Sequence, residues 1–527
     1  MGKSFFKYIF VVVVLVLAIY TLFKSIKDEN EGHNEIVDQT SKVSTIQKDL
    51  RLAIAELDTI NPILSNNKNV QEITKIIYEP LVTLNEHYKL EYCLATEIAK
   101  QDDLTYIVKL RKGVLWHDNN NFTAWDVRFT VDRILGENSI STIYRDNLRY
   151  VTELDVIDDY TLVFKLSQTV PFFEYYLTFP IMSSKYYEGE IFESTEKNNS
   201  PVGTGMFKIQ NREIDSIKLV RNDTYWNNKR IPMAEEINIS LFGSMGEVYN
   251  SFKSGELDII TVGTNNVEEY IGILGYNKIE YKSRDYDFLA LNTESRILSD
   301  VDVRRAISLV IDKNAIVATV LGNGYVPSNF NLDMGNWLYV TDLSVETNTE
   351  EAKGILMQGG WILRNNIWIK DGKILEFSIV VDASNETRVK VGETICEQLT
   401  NFGIRARLLK VSNQRYFELL NNKNYDCILT GIRTSFTPSL HTFFGEGNLA
   451  NYNNLEVLEK IKKTENTKDE GEMYDSYRTI YQKYLEDVPY IGLYRNTNTI
   501  VYNQGLVGNI SPNSFNLYHN IEKWYRQ

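Results

Sequence analysis

Apolar residues along this chain recur with two periods, and the places where the period changes divide it into elements. In DLRLAIAE, from Asp49, the apolar residues Leu50, Leu52 and Ile54 sit at alternate positions, which predicts a half-buried strand. A turn at DTINP follows, and then NVQEITKIIYE, where Val70, Ile73 and Ile77 fall on one face of a helix. Tyr106, Val108 and Leu110 alternate up to a turn at Lys112-Gly113, and YTLVFKLS repeats the strand pattern. At the head of FTAWDV, Thr123 and Asp126 are spaced as a capping box, in which each side chain satisfies a backbone N–H at a helix start. Further along, DVRRAISLVIDKNAIVATVL carries Val303, Ala306, Ile307 and Val310 at helical spacing. TRVKVGETICEQLTNFGIRARLLKV reads as a helix, a stop at Gly403 and a strand. NYDCILTG reads as a buried strand, and EMYDSYRTIYQKYLEDVP as a late helix ended by Pro489. These elements predict an α/β fold.

One run has no polar face. From Phe5 to Phe23 the chain is apolar apart from Lys7, and as a helix it would span roughly 28 Å, close to a bilayer core. No small-x-small cleavage site and no cysteine for a lipid follow it, so it reads as an uncleaved signal-anchor rather than a cleaved signal peptide. Its export-like character places the N-terminus inside and the bulk of the chain outside. The lysines around it, Lys3, Lys7, Lys24 and Lys27, orient it only weakly. Residues 24–45 are polar and aperiodic and read as a tether, with a reach of roughly 25–30 Å.

Composition narrows the function. Of 527 residues, 43% are hydrophobic and 24% charged, as in a globular chain, and the length allows two or three domains. The net charge of −14 argues against a general basic surface for nucleic acid. Cys93, Cys396 and Cys427 are far apart and lack a CxxC, which argues against a disulfide framework or a structural zinc site. The five histidines form no tight ligand pair, so neither a metal nor a cofactor is expected. Catalytic motifs also fail. The glycine turn in SPVGTGMFKIQ lacks the spacing of a phosphate loop, and a strand follows it instead of a helix. FGSMG falls short of GxSxG, and Asp102-Asp103 and Asp158-Asp159 fall between strands as solvated turns.

Several phrases occur together in one order: LDTINP, IIYEPLV, YIVKLRKGVLWHDNNNFTAWDVRFTVDRI, SPVGTGMFKIQ, SGELDI, LALNTESRILSDVDVRRAISLVIDK and VPYIGLYR. In this the chain resembles the family 5 solute-binding proteins of oligopeptide, dipeptide and nickel ABC importers, from about residue 50 to 527. Asn119 stands where the family has glycine, which asparagine tolerates because it adopts left-handed backbone angles. The resemblance implies a two-lobed periplasmic-binding-protein-like fold of the class II or cluster C type. One lobe would comprise 46–80, 181–285 and 491–527, with a subdomain inserted at 81–180, and the other lobe 286–490. It also implies an interlobe cleft that holds peptides or a related polar solute and delivers them to the permease and ATPase subunits of an importer. The glycines of the VGTG turn would lend backbone freedom where the chain returns from the inserted subdomain. A sensing receptor of the same fold, or an extracellular hydrolase, are the alternatives.

Matched positions suggest the cleft residues: Asn66 and Asn67 after the first turn, Thr261 and Gly263 after LDII, Tyr286 and Phe288 on the way into the second lobe, and Tyr494 on the way back. Peptide-binding members carry an aspartate four residues before a proline, which pairs with the ligand's α-amino group. Here that position is Thr434, flanked by Arg433 and Ser435 and followed by Pro438. The departure puts free-amine recognition in doubt and makes Arg433 a candidate for holding a carboxylate or phosphate.

Overall fold

Two long strands, Tyr276–Leu291 and Tyr490–Asn503, organise the structure. They pair antiparallel with each other along most of their length, with a shift of register between Lys282 and Tyr286. The structure is a computed structural model that describes residues 47–136, 142–262, 267–270 and 273–527. Lys48–Arg526 form one compact unit. The apolar run Phe5–Phe23 and Gly263 lie outside the described residues, and among those described no helix is long and apolar enough to cross a membrane.

Before the register shift, the ladder of the long pair is extended by Ile259–Val262. After it, Cys427–Arg433 joins antiparallel to Tyr276–Leu291, and Glu376–Asp382 and Arg405–Val411 continue the sheet in parallel. Two four-stranded sheets stand apart from this one. The first runs in the order Asp49–Ala55, Glu236–Phe242, Ser216–Arg221, Phe207–Arg212, and the second is the antiparallel set of Ala95–Asp102, Thr105–Leu110, Thr161–Leu166 and Val151–Asp158.

The two-residue period of a strand sends alternate side chains to opposite faces. In the large sheet both faces are apolar. Leu289, Leu291, Ile379, Val381 and Leu429 enter one core with residues of the helices Val301–Val310, Thr349–Gln358 and Glu386–Phe402. Phe288, Ala290, Val380 and Ile428 enter another, with residues of Leu455–Asn466 and Glu470–Asp487. The result is a three-layer sandwich, helices on both faces of a sheet.

Local chemistry explains most element ends. Leu50, Leu52 and Ile54 are buried, as their alternation predicts, and Val70, Ile73 and Ile77 are buried too. The helix carrying Val70 and Ile73 is shorter than the pattern suggests. It spans Lys68–Ile73 and tightens to a 3-10 turn at Thr74–Ile76, where the Thr74 hydroxyl bonds back to the Val70 carbonyl at 2.7 Å. The expected long helix after Asp300 is also divided: Ile311 is extended, and Asp312 caps a new start at Lys313–Ile316. Asp126 accepts the Thr123 amide at 2.9 Å, Gly403 ends its helix at φ +99°, and Asn119 has φ +66°.

The VGTG turn needs space rather than backbone freedom. Neither Gly203 nor Gly205 has a positive φ. A Cβ on Gly203 would lie 1.9 Å from the Ile77 carbonyl oxygen, and one on Gly205 would lie 2.5 Å from that of Ile76. The His117 ring spans the turn, with Nδ1 accepting the Gly203 amide at 3.2 Å and Nε2 lying 3.0 Å from the Gly205 carbonyl. Between the two glycines, Thr204 donates to the buried carboxylate of Glu79 at 2.9 Å, as do Tyr225 at 2.7 Å and Trp226 at 2.8 Å. Burial pushes the Glu79 carboxyl up, against these donors.

Candidate functional site

The strands Glu376–Asp382 and Cys427–Arg433 pair only at Ile379–Cys427 and Val380–Ile428. Cys427–Arg433 stays paired on its other side through to Asp285–Arg433. From Leu429 to Arg433 it therefore has no ladder partner on the side of Glu376–Asp382. A cavity of about 330 Å³ lies at these strand ends, lined in part by Asp285, Asp287, Arg388, Gly431, Arg433 and Tyr494. Strand register explains the grouping. Asp285 is opposite Arg433, and Asp287 is opposite Gly431 on one side and Tyr494 on the other, so these residues share a face.

The charges on this face are matched. Arg388, in the first turn of the helix Glu386–Phe402, donates from Nε to Asp287 Oδ1 at 2.5 Å. Burial pushes the Asp287 carboxyl up, while Arg388 and the Tyr494 hydroxyl hold it down. Gly431 leaves room for the pair, because a Cβ there would lie 2.2 Å from Arg388 Nη2 and 2.8 Å from Asp287 Oδ1. Asn385 caps the same helix at the cavity wall by accepting the Arg388 amide at 3.0 Å.

The opposite face of the same strands is different. A cavity of about 30 Å³ lies there, lined by Arg284, Arg495, Thr434 and Phe436 together with Tyr88 and Ser514 from outside the large sheet. The Arg284 guanidinium sits 4.0 Å from the centre of the Phe436 ring, and that of Arg495 sits 4.7 Å from the Tyr286 ring. Phe436 also packs edge-on against Phe515 at 5.1 Å and stacks with Tyr88 at 6.1 Å. Burial, reinforced by Arg433, pulls Arg284 down to about 10, and burial lowers Arg495 as well. Elsewhere Lys313, at the start of Lys313–Ile316, is also buried and is pulled down to about 8 by desolvation.

The nine described residues among those suggested by the sequence do not converge on one site. Tyr494 and Arg433 line the larger cavity, whereas Thr434 and Ser435 line the smaller one. Adjacent residues of a strand point to opposite faces, which separates Arg433 from Thr434. The Thr434 hydroxyl is taken up by the Arg284 carbonyl at 3.0 Å. Tyr286 and Phe288 are 1% exposed and stack at 5.3 Å within the aromatic core, so they pack rather than line a cleft. Asn67 caps the helix Lys68–Ile73, and its Nδ2 donates to the Ala55 and Glu56 carbonyls. Asn66 is exposed, and its amide donates to Asp58 at 3.1 Å. Thr261 pairs with Ile500 in the ladder. The residues that were missed are Asp285, Asp287, Arg388, Arg284 and Arg495. The available signal was RDYD at 284–287, charges alternating with an aromatic residue just ahead of a wholly apolar strand.

Three comparisons bear on this geometry. A family model described as bacterial extracellular solute-binding proteins, family 5 middle, matches residues 89–451. The oligopeptide-binding protein AppA of Bacillus subtilis (strain 168) is 25% identical over 540 residues, covering 97% of each chain. Among solved structures, MppA, a periplasmic murein tripeptide binding protein in an unliganded open form, superposes with a TM-score of 0.78 at 17% identity, over 92% of this chain and 99% of that one. NikZ from Campylobacter jejuni in complex with Ni(L-His) superposes with a TM-score of 0.57 at 22% identity, over 91% and 100%. The solved structures show the two-lobed fold. With the family model covering more than half of its residues, the chain belongs to the bacterial extracellular solute-binding proteins of family 5.

Proposed function

We propose that this receptor captures peptides or related polar solutes at the strand ends of the second lobe and hands them to the permease of an ABC importer. The observation that carries this reading is the backbone edge from Leu429 to Arg433, which lacks a ladder partner beside a polar cavity of about 330 Å³. Such an edge can pair with an extended ligand main chain, gaining affinity without reading side chains. The named relatives support a ligand built from amino acids: AppA is an oligopeptide-binding protein, and NikZ was solved with a nickel–histidine complex. The chemistry at hand is recognition, since the Asp287–Arg388 pair holds both of its charges against each other. The apolar run Phe5–Phe23 would tether the receptor to the membrane with its bulk on the outer face.

Mass spectrometry of the solute released on denaturing the purified chain tests the reading. The expected result is a peptide or small polar solute recovered intact. Recovery of a cleaved product alone, with turnover of added peptide, would instead make the chain a hydrolase. Intact-mass analysis tests the tether, which requires the mature chain to keep Met1 or Gly2.

A further inference from the structure

We infer that the small cavity beside Thr434 is an anion subsite, and that the solute this receptor selects carries a carboxylate or a phosphate group there. The inference deepens the receptor reading and rests on it. Arg284 and Arg495 both line this cavity, and neither forms an ion pair among the described residues. Each has a buried Nε with no hydrogen-bond partner. Arg495 is 2% exposed, and its side chain hydrogen-bonds only to the backbone oxygens of Phe330 and Asn331, through Nη2. Arg284 donates from Nη1 to the Thr434 carbonyl at 3.3 Å. The one carboxylate in the lining, Asp333, accepts the Gly335 amide at 2.7 Å. Asp285, next to Arg284 in sequence, faces the other cavity opposite Arg433.

Two desolvated guanidiniums against one carboxylate leave a net positive charge where water is scarce. A cation taken out of water without a partner is costly, and an incoming anion removes that cost. Guanidinium presents its donors in a planar fork that matches the oxygens of a carboxylate or phosphate. The cavity of about 30 Å³ holds roughly two water molecules, the footprint of the two oxygens of a carboxylate. Tyr88 and Ser514 border the cavity from outside the large sheet, so the rest of the solute would leave it between them and Thr434.

The test uses the full chain and a pentapeptide library in three forms: free at both ends, N-acetylated and C-amidated. Retention on the immobilised protein is read by mass spectrometry. Amidation should lower retention about ten- to a hundred-fold, as expected for loss of a charge-assisted bond, and acetylation should change it less than about two-fold. Arg284→Gln, or Thr434→Asp, which puts a carboxylate beside Arg284, should abolish the effect of amidation. Retention that ignores amidation, that is lost on acetylation, or that depends on amidation in both variants overturns the anion subsite while leaving the peptide receptor standing. If no peptide form is retained, the peptide reading falls and inorganic phosphate decides. A rise in melting temperature with phosphate that Arg284→Gln removes supports a subsite for a free anion, and no rise overturns it.

Discussion

The two faces of the strand pair Asp285–Leu291 and Cys427–Arg433 solve the problem of buried charge in opposite ways. On the face of the larger cavity Asp287 and Arg388 neutralise each other, and Gly431 keeps the space they need. On the other face Arg284 and Arg495 are withdrawn from water, and neither forms an ion pair among the described residues. The charges of the first face are balanced without a solute. The second gains from an anion, so recognition of charge is expected there, whereas the first offers a solute its unpaired backbone edge.

The largest effect should come from breaking the matched face. Asp287→Ala leaves Arg388 without its counter-charge and should cost about 3 kcal/mol, read as a lower urea midpoint. The double variant with Arg388→Met should recover most of that loss. A double variant as unstable as the single one would show that the pair is not the cause.

A slightly smaller effect should follow pH at Lys313, a third buried cation without an ion pair among the described residues. The folded state holds Lys313 at about 8, below its ordinary 10.5, so the unfolded chain binds a proton that the folded chain has released. The penalty for keeping Lys313 charged is complete below about pH 8 and disappears as pH rises towards 10.5. Stability should therefore rise across that window, by at most about 3 kcal/mol from this group. Comparing denaturation of Lys313→Met with the parent from pH 7.5 to 10.5 isolates the contribution, and parallel curves would refute it.

The smallest effect sharpens the contrast. Arg284→Gln removes a desolvated cation that has no carboxylate partner, so stability should not fall and should rise by about 1 kcal/mol, in contrast to Asp287→Ala. A loss as large as that of Asp287→Ala would mean that Arg284 is structural, and the difference between the faces would vanish.

Much of this fold is readable from the sequence because it rests on local rules. The alternation at Leu50, Leu52 and Ile54, the Thr123–Asp126 spacing and the Gly403 stop each need only neighbours in the chain, and each has its expected counterpart in the structure. Contacts between distant segments are a different matter. The space demanded at Gly203 and Gly205 comes from carbonyls more than a hundred residues away, so the sequence suggests a flexible turn where the structure has a tight one. The candidate site suffers in the same way. That Arg433 and Thr434 point apart follows from strand geometry, but which cavity each meets depends on registers with Tyr276–Leu291 and on Ser514 and Tyr88. Arg284 and Arg495 read as ordinary surface charges until the pairing of Tyr286 with Arg495 is known.

The VGTG turn has a consequence for inheritance. Every replacement of glycine adds at least a Cβ, and the atoms in its way at Gly203 and Gly205 include the backbone oxygens of Ile77 and Ile76. Every residue type carries the same carbonyl, so no exchange of side chain at position 76 or 77 makes room. A lineage that loses either glycine therefore has no suppressor at the point of collision, and selection for reversion should outweigh selection for compensation.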